Sequence, residues 1–220
     1  MNIVAGGTSP RDKFSTQTAA DWPMFRHDAE HTGTLDSTGA TVNNTLWSYM
    51  TGSWVVSSPA VSEGLIYVGS DDGRVYCLDA LAGTLVWSYI TGGPVISSPA
   101  VADGKVYVGS EDHNLYCLDA TTGTLVWSYT TGRNVTSSPA VADGLVYVGS
   151  DDVYCLNAST GTQVWSYESV YTNPESGITV NYASIAVSDG VVYGGFEEDR
   201  YYNGRVYGLN ATTGEGVWGW

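Results

Sequence analysis

Trp47, Trp87 and Trp127 stand forty residues apart, and the surroundings of each recur with it. SSPAV occupies 57–61, 97–101 and 137–141; YVGS follows at 67–70, 107–110 and 147–150; YCLDA comes at 76–80 and 116–120. A fixed period of this length marks an array of identical supersecondary units, each too small to bury its own apolar face alone. The third copy is two residues shorter, which brings its tryptophan to Trp165, and a diverged fourth reads ASIAV at 183–187, YGGF at 193–196, YGLNA at 207–211 and Trp218.

Each copy divides into four apolar runs bounded by turn residues. In the first they are 58–61, 65–69, 75–79 and 85–90, rich in β-branched and aromatic side chains; they predict strands A to D. Between A and B lie Glu63-Gly64, Asp103-Gly104, Asp143-Gly144 and Asp189-Gly190, pairs that accept the positive φ angles of a two-residue hairpin. Strand A carries Pro59, Pro99 and Pro139. A missing N–H is tolerable only on a sheet edge, so A should line the axis and D the rim. Four antiparallel strands repeated radially make an all-β propeller of about four blades. The expected organisation is a flexible leader over 1–20, a pre-propeller segment over 21–44, and a propeller over 45–220. Its blades run approximately 54–90, 94–130, 134–168 and 178–220, with 45–50 (TLWSYM) as an extra outer strand ahead of the first.

The run 117–127, CLDATTGTLVW, resembles the tryptophan-docking motif of the pyrroloquinoline-quinone-type propeller repeat. Asp79, Gly83 and Trp87 match it in the first copy, Asp119, Gly123 and Trp127 in the second, Asn157, Gly161 and Trp165 in the third, and Asn210, Gly214 and Trp218 in the fourth, with Trp47 ahead of them all. The resemblance implies that each indole stacks on the next blade. Departures are Cys77, Cys117 and Cys155 in place of the family's Ala, and Ala82 in place of Thr. The lead-in Asp21-Trp22-Pro23-Met24-Phe25-Arg26 is similar to the segment that opens such propellers. The family holds both quinone-dependent dehydrogenases and non-enzymes of the outer-membrane assembly and cell-surface kind, and fold alone does not choose between them.

No catalytic residue, cofactor site or metal site emerges from the motifs. Nucleophile-elbow, P-loop and dinucleotide signatures are missing from the sequence, as are the vicinal cysteines and calcium-binding carboxylates that the resemblance would imply for an alcohol dehydrogenase. Cys77, Cys117 and Cys155 fall in the same strand of successive blades, too far apart for a disulfide, and read as small core fillers. His27 and His31 have helical metal spacing but lack a third ligand nearby. The pairs Asp71-Asp72, Glu111-Asp112 and Asp151-Asp152 do not follow the alternate-residue pattern of a calcium loop and read as solvated turns. With 8 Lys+Arg against 23 Asp+Glu, the formal charge of −15 disfavours nucleic acid, and no apolar stretch is long enough to span a bilayer. Sequons at Asn43, Asn134, Asn157 and Asn210 permit glycosylation on export, and the resemblance implies an extracytoplasmic location.

The copies differ mostly on one face. The A–B and C–D turns, on one side of an antiparallel blade, are nearly invariant; the B–C and D–A turns, on the other, carry Trp54, His113 and Arg133. Two insertions land there as well, eight residues around 168–177 with Tyr171 and five around 196–204 with Phe196, Tyr201 and Tyr202. Varied loops on a rigid scaffold are where binding resides, so these seven residues are the candidate contacts to a protein or glycan partner. The alternative is a fragment or relative of a quinone-dependent dehydrogenase. The surplus outer strand leaves three expectations for closure: a four-blade ring with one strand displaced, a longer chain, or two chains completing one ring, the last favoured by the near-identity of the repeats.

Overall fold

Both residues of every acid-glycine pair have positive φ: Glu63 at 50° and Gly64 at 76°, Asp103 at 49° and Gly104 at 69°, with the third and fourth copies alike. That backbone twists in the sense of the strands it joins, so each pair closes a hairpin. In the computed structural model, which describes residues 23–25, 45–168, 184–198 and 203–219, four such hairpins open four sheets. The first comprises β1 (Ala60–Ser62), β2 (Leu65–Ser70), β3 (Arg74–Asp79) and β4 (Leu85–Ile90). The second comprises β5 (Ala100–Ala102), β6 (Lys105–Gly109), β7 (Asn114–Asp119) and β8 (Leu125–Thr130). β9 (Ala140–Ala142), β10 (Leu145–Gly149), β11 (Val153–Asn157) and β12 (Gln163–Tyr167) form the third. β13 (Ala186–Ser188), β14 (Val191–Glu198), β15 (Asn203–Asn210) and β16 (Gly216–Gly219) form the fourth. Every pairing is antiparallel between strands consecutive in sequence, which is the propeller blade the repeats predict.

The inner strand is shorter than its apolar run. β1, β5 and β9 begin one residue after Pro59, Pro99 and Pro139, because proline cannot donate to the ladder. Neighbouring inner strands lie side by side in the order β1, β5, β9, β13, so the A strands do line the axis. The serines before each proline explain themselves there. Ser57 Oγ both donates to the Gly69 carbonyl (2.9 Å) and accepts from its N–H (2.8 Å) within one sheet. The second serine stitches sheets together: Ser58 N–H donates to Ser98 Oγ (2.9 Å), Ser98 N–H to Ser138 Oγ (3.1 Å), and Ser138 N–H to Ser184 Oγ (3.2 Å).

The core sits between sheets. One cluster joins Tyr67, Val75 and Cys77 of the first sheet to Val101, Val106 and Leu118 of the second; another joins the second to the third through Leu115, Cys117, Val146 and Leu156. A third joins the third to the fourth through Tyr147, Val153, Val192 and Leu209. Strands B and C are therefore buried on both faces, whereas D, reading exposed-exposed-buried in β4, β8 and β12, covers one side only. Glycine lets the sheets approach. A Cβ on Gly69 or Gly109 would collide with the side chain and carbonyl of Val95 or Val135, which plug the cleft from the next copy. The lead-in reaches the same interior: Pro23 O accepts the Val101 N–H (2.5 Å) and Met24 is buried between the second and third sheets.

Two expectations change. Residues 45–50, expected as an outer strand, form no ladder among the described residues. The five-residue addition in the fourth copy was expected as loop from Phe196; instead β14 and β15 lengthen to eight residues each, and Phe196 pairs in register with Arg205 and Glu198 with Asn203. Only 199–202 of that insertion lie outside the described residues.

Candidate functional site

The two faces of the arc are built from different turns. On the first, Asp79 Oδ1 accepts the N–H groups of Leu81 (2.9 Å) and Ala82 (2.7 Å), Asp119 accepts those of Thr121 and Thr122, and Asn157 and Asn210 do the same in their own turns. Each turn ends in a glycine at positive φ: Gly83, Gly123, Gly161 and Gly214. An indole from the preceding copy lies over that glycine, leaving no room for a Cβ: Trp47 on Gly83, Trp87 on Gly123, Trp127 on Gly161, Trp165 on Gly214. Each indole N–H donates to the carbonyl of the alanine in the turn, Ala80, Ala120, Ala158 or Ala211, at 2.9–3.1 Å. A tyrosine hydroxyl converges on three of those carbonyls, from Tyr67, Tyr107 and Tyr147. Trp87, Trp127 and Trp165 are buried. The side chain of Trp218 lies outside the described residues.

The second face carries a clamp that the sequence reading took for solvated turns. Asp72 Oδ2 accepts the Gly52 N–H (2.7 Å) and the Tyr76 hydroxyl (2.6 Å), while Oδ1 accepts the Arg74 N–H (3.0 Å). Asp112 repeats this with Gly92, Tyr116 and Asn114, and Asp151 with Gly132 and Tyr154. Because each glycine precedes the next blade, the carboxylate ties a D–A turn to the B–C turn of the following sheet. Burial pulls the Asp72 and Asp112 carboxyls up, but the tyrosine hydrogen bond and the backbone donors outweigh it and hold both below the usual carboxylate range. Burial, and then the carboxylate it serves, pushes the Tyr76 phenol up to about 12. The same tyrosines meet a tyrosine of the preceding copy in a tilted pair, Tyr49 with Tyr76, Tyr89 with Tyr116 and Tyr129 with Tyr154, with centroids 5.5–5.8 Å apart. The signal was present in Thr51-Gly52, Thr91-Gly92 and Thr131-Gly132 and in the Asp-to-Tyr spacing, but the partners come from different copies and each half has an ordinary turn reading.

Of the predicted contact residues, Trp54 is 77% exposed, its carbonyl held by Asp71 N–H (2.9 Å) and Ser70 Oγ (3.2 Å). His113 is exposed with φ +73°, in the place of Gly73. Arg133 is half-buried, and Thr131 Oγ1 joins it to His113 by reaching both carbonyls (3.0 and 2.7 Å). His113, in the B–C turn of the second sheet, and Arg133, in the D–A turn that follows that sheet, are thus held together, whereas Trp54 lies in the D–A turn ahead of the first sheet, two turns before that of Arg133. Tyr171, Tyr201 and Tyr202 lie outside the described residues, as does the side chain of Phe196.

Cys77, Cys117 and Cys155 are buried free thiols in three separate sheets, each pushed up to about 12 by burial. Among the described residues no three His, Cys, Asp or Glu side chains are grouped to hold a metal.

The family model described as outer membrane protein assembly factor BamB matches residues 30–98 and 90–219. The chain belongs to this family, whose repeat is the pyrroloquinoline-quinone type. Among solved structures it is similar to the quinohemoprotein alcohol dehydrogenase from Comamonas testosteroni, with a TM-score of 0.77 and 23% identity over 94% of this chain and 42% of that one. It is similar to a europium-containing methanol dehydrogenase, at 0.72 and 18% over 93% and 49%, and to BamB from Moraxella catarrhalis, at 0.57 and 18% over 79% and 64%. The chain spans less than half of either dehydrogenase structure and about two thirds of BamB. A search of curated proteins gave no match. Among the described residues no helix is long and apolar enough to cross a membrane.

Proposed function

We propose that the propeller of this chain is a non-catalytic, extracytoplasmic binding module that takes a protein or glycan partner on the face bearing the B–C and D–A turns. The observation that carries the reading is where the repeat is broken. The carboxylate clamp recurs at Asp72, Asp112 and Asp151. In the fourth copy the hairpin that would hold it is extended through β14 and β15, and Ser169-Val170 stands in the sequence where the earlier D–A turns have Thr-Gly. In the order of the chain the two insertions belong to the turn between the third and fourth blades and to the B–C turn of the fourth, where the segment with Tyr171 and FEEDRYYNG would supply aromatic and acidic side chains. Aromatic rings beside hydrogen-bonding groups suit stacking on a sugar or anchoring a peptide. Trp54, His113 and Arg133 extend the surface along the same face. The charge of −15 opposes nucleic acid as the partner.

The test is capture on a glycan array and in a pull-down, comparing the protein with its Tyr201→Ala/Tyr202→Ala variant. The variant should keep the melting midpoint and lose capture; undiminished capture would place the contact elsewhere. The dehydrogenase folds among its structural neighbours make quinone-dependent oxidation the second reading. Absorbance after adding pyrroloquinoline quinone and calcium decides between them, since a bound chromophore with dye-linked turnover would overturn the non-catalytic reading.

A further inference from the structure

Two consecutive junctions on the face of the B–C and D–A turns share one backbone frame and differ in what it displays. At the first, Thr91 N–H donates to the Gly73 carbonyl (2.8 Å), Thr91 Oγ1 lies within bonding reach of the carbonyls of Gly73 (2.9 Å) and Gly93 (2.7 Å), and Val95 N–H donates to Ser70 O (3.0 Å). The second repeats each contact: Thr131 N–H to His113 O (2.8 Å), Thr131 Oγ1 to the carbonyls of His113 (3.0 Å) and Arg133 (2.7 Å), and Val135 N–H to Ser110 O (3.0 Å). The side chains on that frame are unlike. Gly73, Gly93 and Pro94 offer no side-chain hydrogen-bonding group, whereas His113, Arg133 and Asn134 each bring a donor. His113 stands at φ +73° where Gly73 stands at +79°, a region that glycine enters freely and a residue with a Cβ enters rarely. The neighbouring carboxylates are engaged elsewhere: Asp112 accepts from Gly92 N–H, Asn114 N–H and the Tyr116 hydroxyl, and Asp151 from Gly132 N–H and the Tyr154 hydroxyl. Among the described residues neither the His113 nor the Arg133 side chain makes a hydrogen bond or an ion pair. Their main-chain carbonyls are thus fixed to one hydroxyl while the side chains are uncommitted, Arg133 half-buried and His113 and Asn134 exposed.

We infer that His113, Arg133 and Asn134 form a docking point for a carboxylate of a protein partner, the side chain of an Asp or Glu in an exposed segment. The inference rests on the reading of this face as the binding face and names the chemistry that one part of it takes. A guanidinium presents a planar fork that matches the two oxygens of a carboxylate. The imidazole and the carboxamide add N–H donors for the lone pairs that the fork leaves over. A uronate within a polysaccharide would bring the same group, but as a polyanion that the charge of −15 repels along its whole length. One acidic side chain on a folded partner meets only the local field, and arginine is among the residues that anchor protein interfaces. The first junction has the same frame and the same clamp without the three donors, so a variant that copies it removes the docking point alone.

The test probes the full chain on an array of otherwise neutral peptides carrying one Asp or Glu, or Asn or Gln in its place, with oligogalacturonate beside them. Peptides with the acid should be captured in preference to their amide counterparts and to oligogalacturonate. His113→Gly and Arg133→Gly, which copy the first junction, should each weaken that capture about tenfold, the scale of one lost hydrogen bond to a charged group. His113→Gly should hold or raise the melting midpoint, because glycine relieves the positive φ; a purely structural histidine would give the opposite sign. Arg133→Glu should reverse the preference towards peptides carrying Lys. Equal capture of acid and amide peptides, no capture of either, capture of oligogalacturonate in their place, or variants that keep the preference would overturn the docking point. A partner captured by the parent, lost with Tyr201→Ala/Tyr202→Ala and indifferent to both His113→Gly and Arg133→Gly would overturn it too, while leaving the binding role of the face intact.

Discussion

The two faces of the arc solve one problem, tying a blade to its neighbour, with unlike chemistry. On the face of the A–B and C–D turns the tie is an indole lying on a glycine and donating to a carbonyl, repeated from Trp47 to Trp165. On the opposite face it is a carboxylate gathering a tyrosine hydroxyl and a glycine N–H, repeated from Asp72 to Asp151. The indole removes a large apolar surface from water and fills a cleft of fixed shape, so nothing smaller replaces it. The carboxylate is half-buried and its hydrogen bonds are exchangeable with water at modest cost. A repeat protein can therefore vary the second face copy by copy while the first holds the blades in line.

The strongest break in that comparison is Trp127→Ala. It empties the space over Gly161 and removes the bond to Ala158 O, at a cost of about 3–5 kcal/mol by analogy with other large buried aromatics, read from urea or thermal unfolding. Trp47→Ala, at a half-buried and unladdered position, should cost distinctly less. On the other face Asp112→Ala leaves the Tyr116 hydroxyl and the Gly92 N–H without their acceptor. The expected loss is about 1–3 kcal/mol, the cost of stranded polar groups with partial access to water. An equal or larger loss at Asp112 than at Trp127 would reverse the assignment of strength to the two faces.

Titration sharpens the contrast. Asp72 and Asp112 have folded pKa values below their unfolded value of about 3.9. Their contribution is thus present above that value and is lost as pH falls through the folded pKa. Unfolding free energy should decline on acidification below about pH 5, and Asp72→Asn with Asp112→Asn should flatten that limb. The alkaline limb belongs to the cores both faces share. The thiols of Cys77, Cys117 and Cys155, pushed up to about 12 by burial, stay protonated in the fold while the unfolded chain releases protons above about pH 8.5. Stability should fall as pH rises from there towards the folded values. Alkylation with iodoacetamide at pH 8 should leave all three thiols unmodified in the native protein and label them only after unfolding.

The blades were legible because a strand needs only its run of β-branched and aromatic residues, and a hairpin only its acid-glycine pair, both local in the chain. The indole ties were reachable through the family resemblance, which linked Gly123 and Trp127 as parts of one motif. The clamps were not legible. Asp72 lies twenty residues from the glycine it holds, and Asp-Gly has a sufficient local explanation as a turn. The long hairpin of the fourth copy was misread for a related reason: Phe196-Glu197-Glu198 and Asn203 carry charged and polar residues that suggest loop, but the register continuing from Val191 and Asn210 extends the ladder through them. The weak β-preference of individual residues yields to pairing already in place.

The smallest effect expected anywhere in the comparison is at Asp119. Its Oδ1 accepts the N–H of Thr121 at 3.1 Å and of Thr122 at 2.8 Å, and the Thr122 hydroxyl at 2.8 Å. Those bonds, led by the Thr122 backbone, hold the carboxyl below its ordinary value. Every one of them needs an acceptor and none needs a charge. The third and fourth copies show the substitution already made, with Asn157 accepting from Ser159 and Thr160 at 3.0 Å and Asn210 from Thr212 and Thr213 at 2.9 and 3.0 Å. Asp119→Asn should therefore leave the melting midpoint at neutral pH where it was. It should also remove this side chain's part of the acid limb, because an amide cannot be protonated out of its acceptor role as the pH falls through the carboxyl's folded pKa. Asp119→Ala, which deletes the acceptor, should lower the midpoint at every pH. If Asn behaves like Ala, the charge itself holds the turn, and the interchange of Asp and Asn among the four copies would need a different explanation.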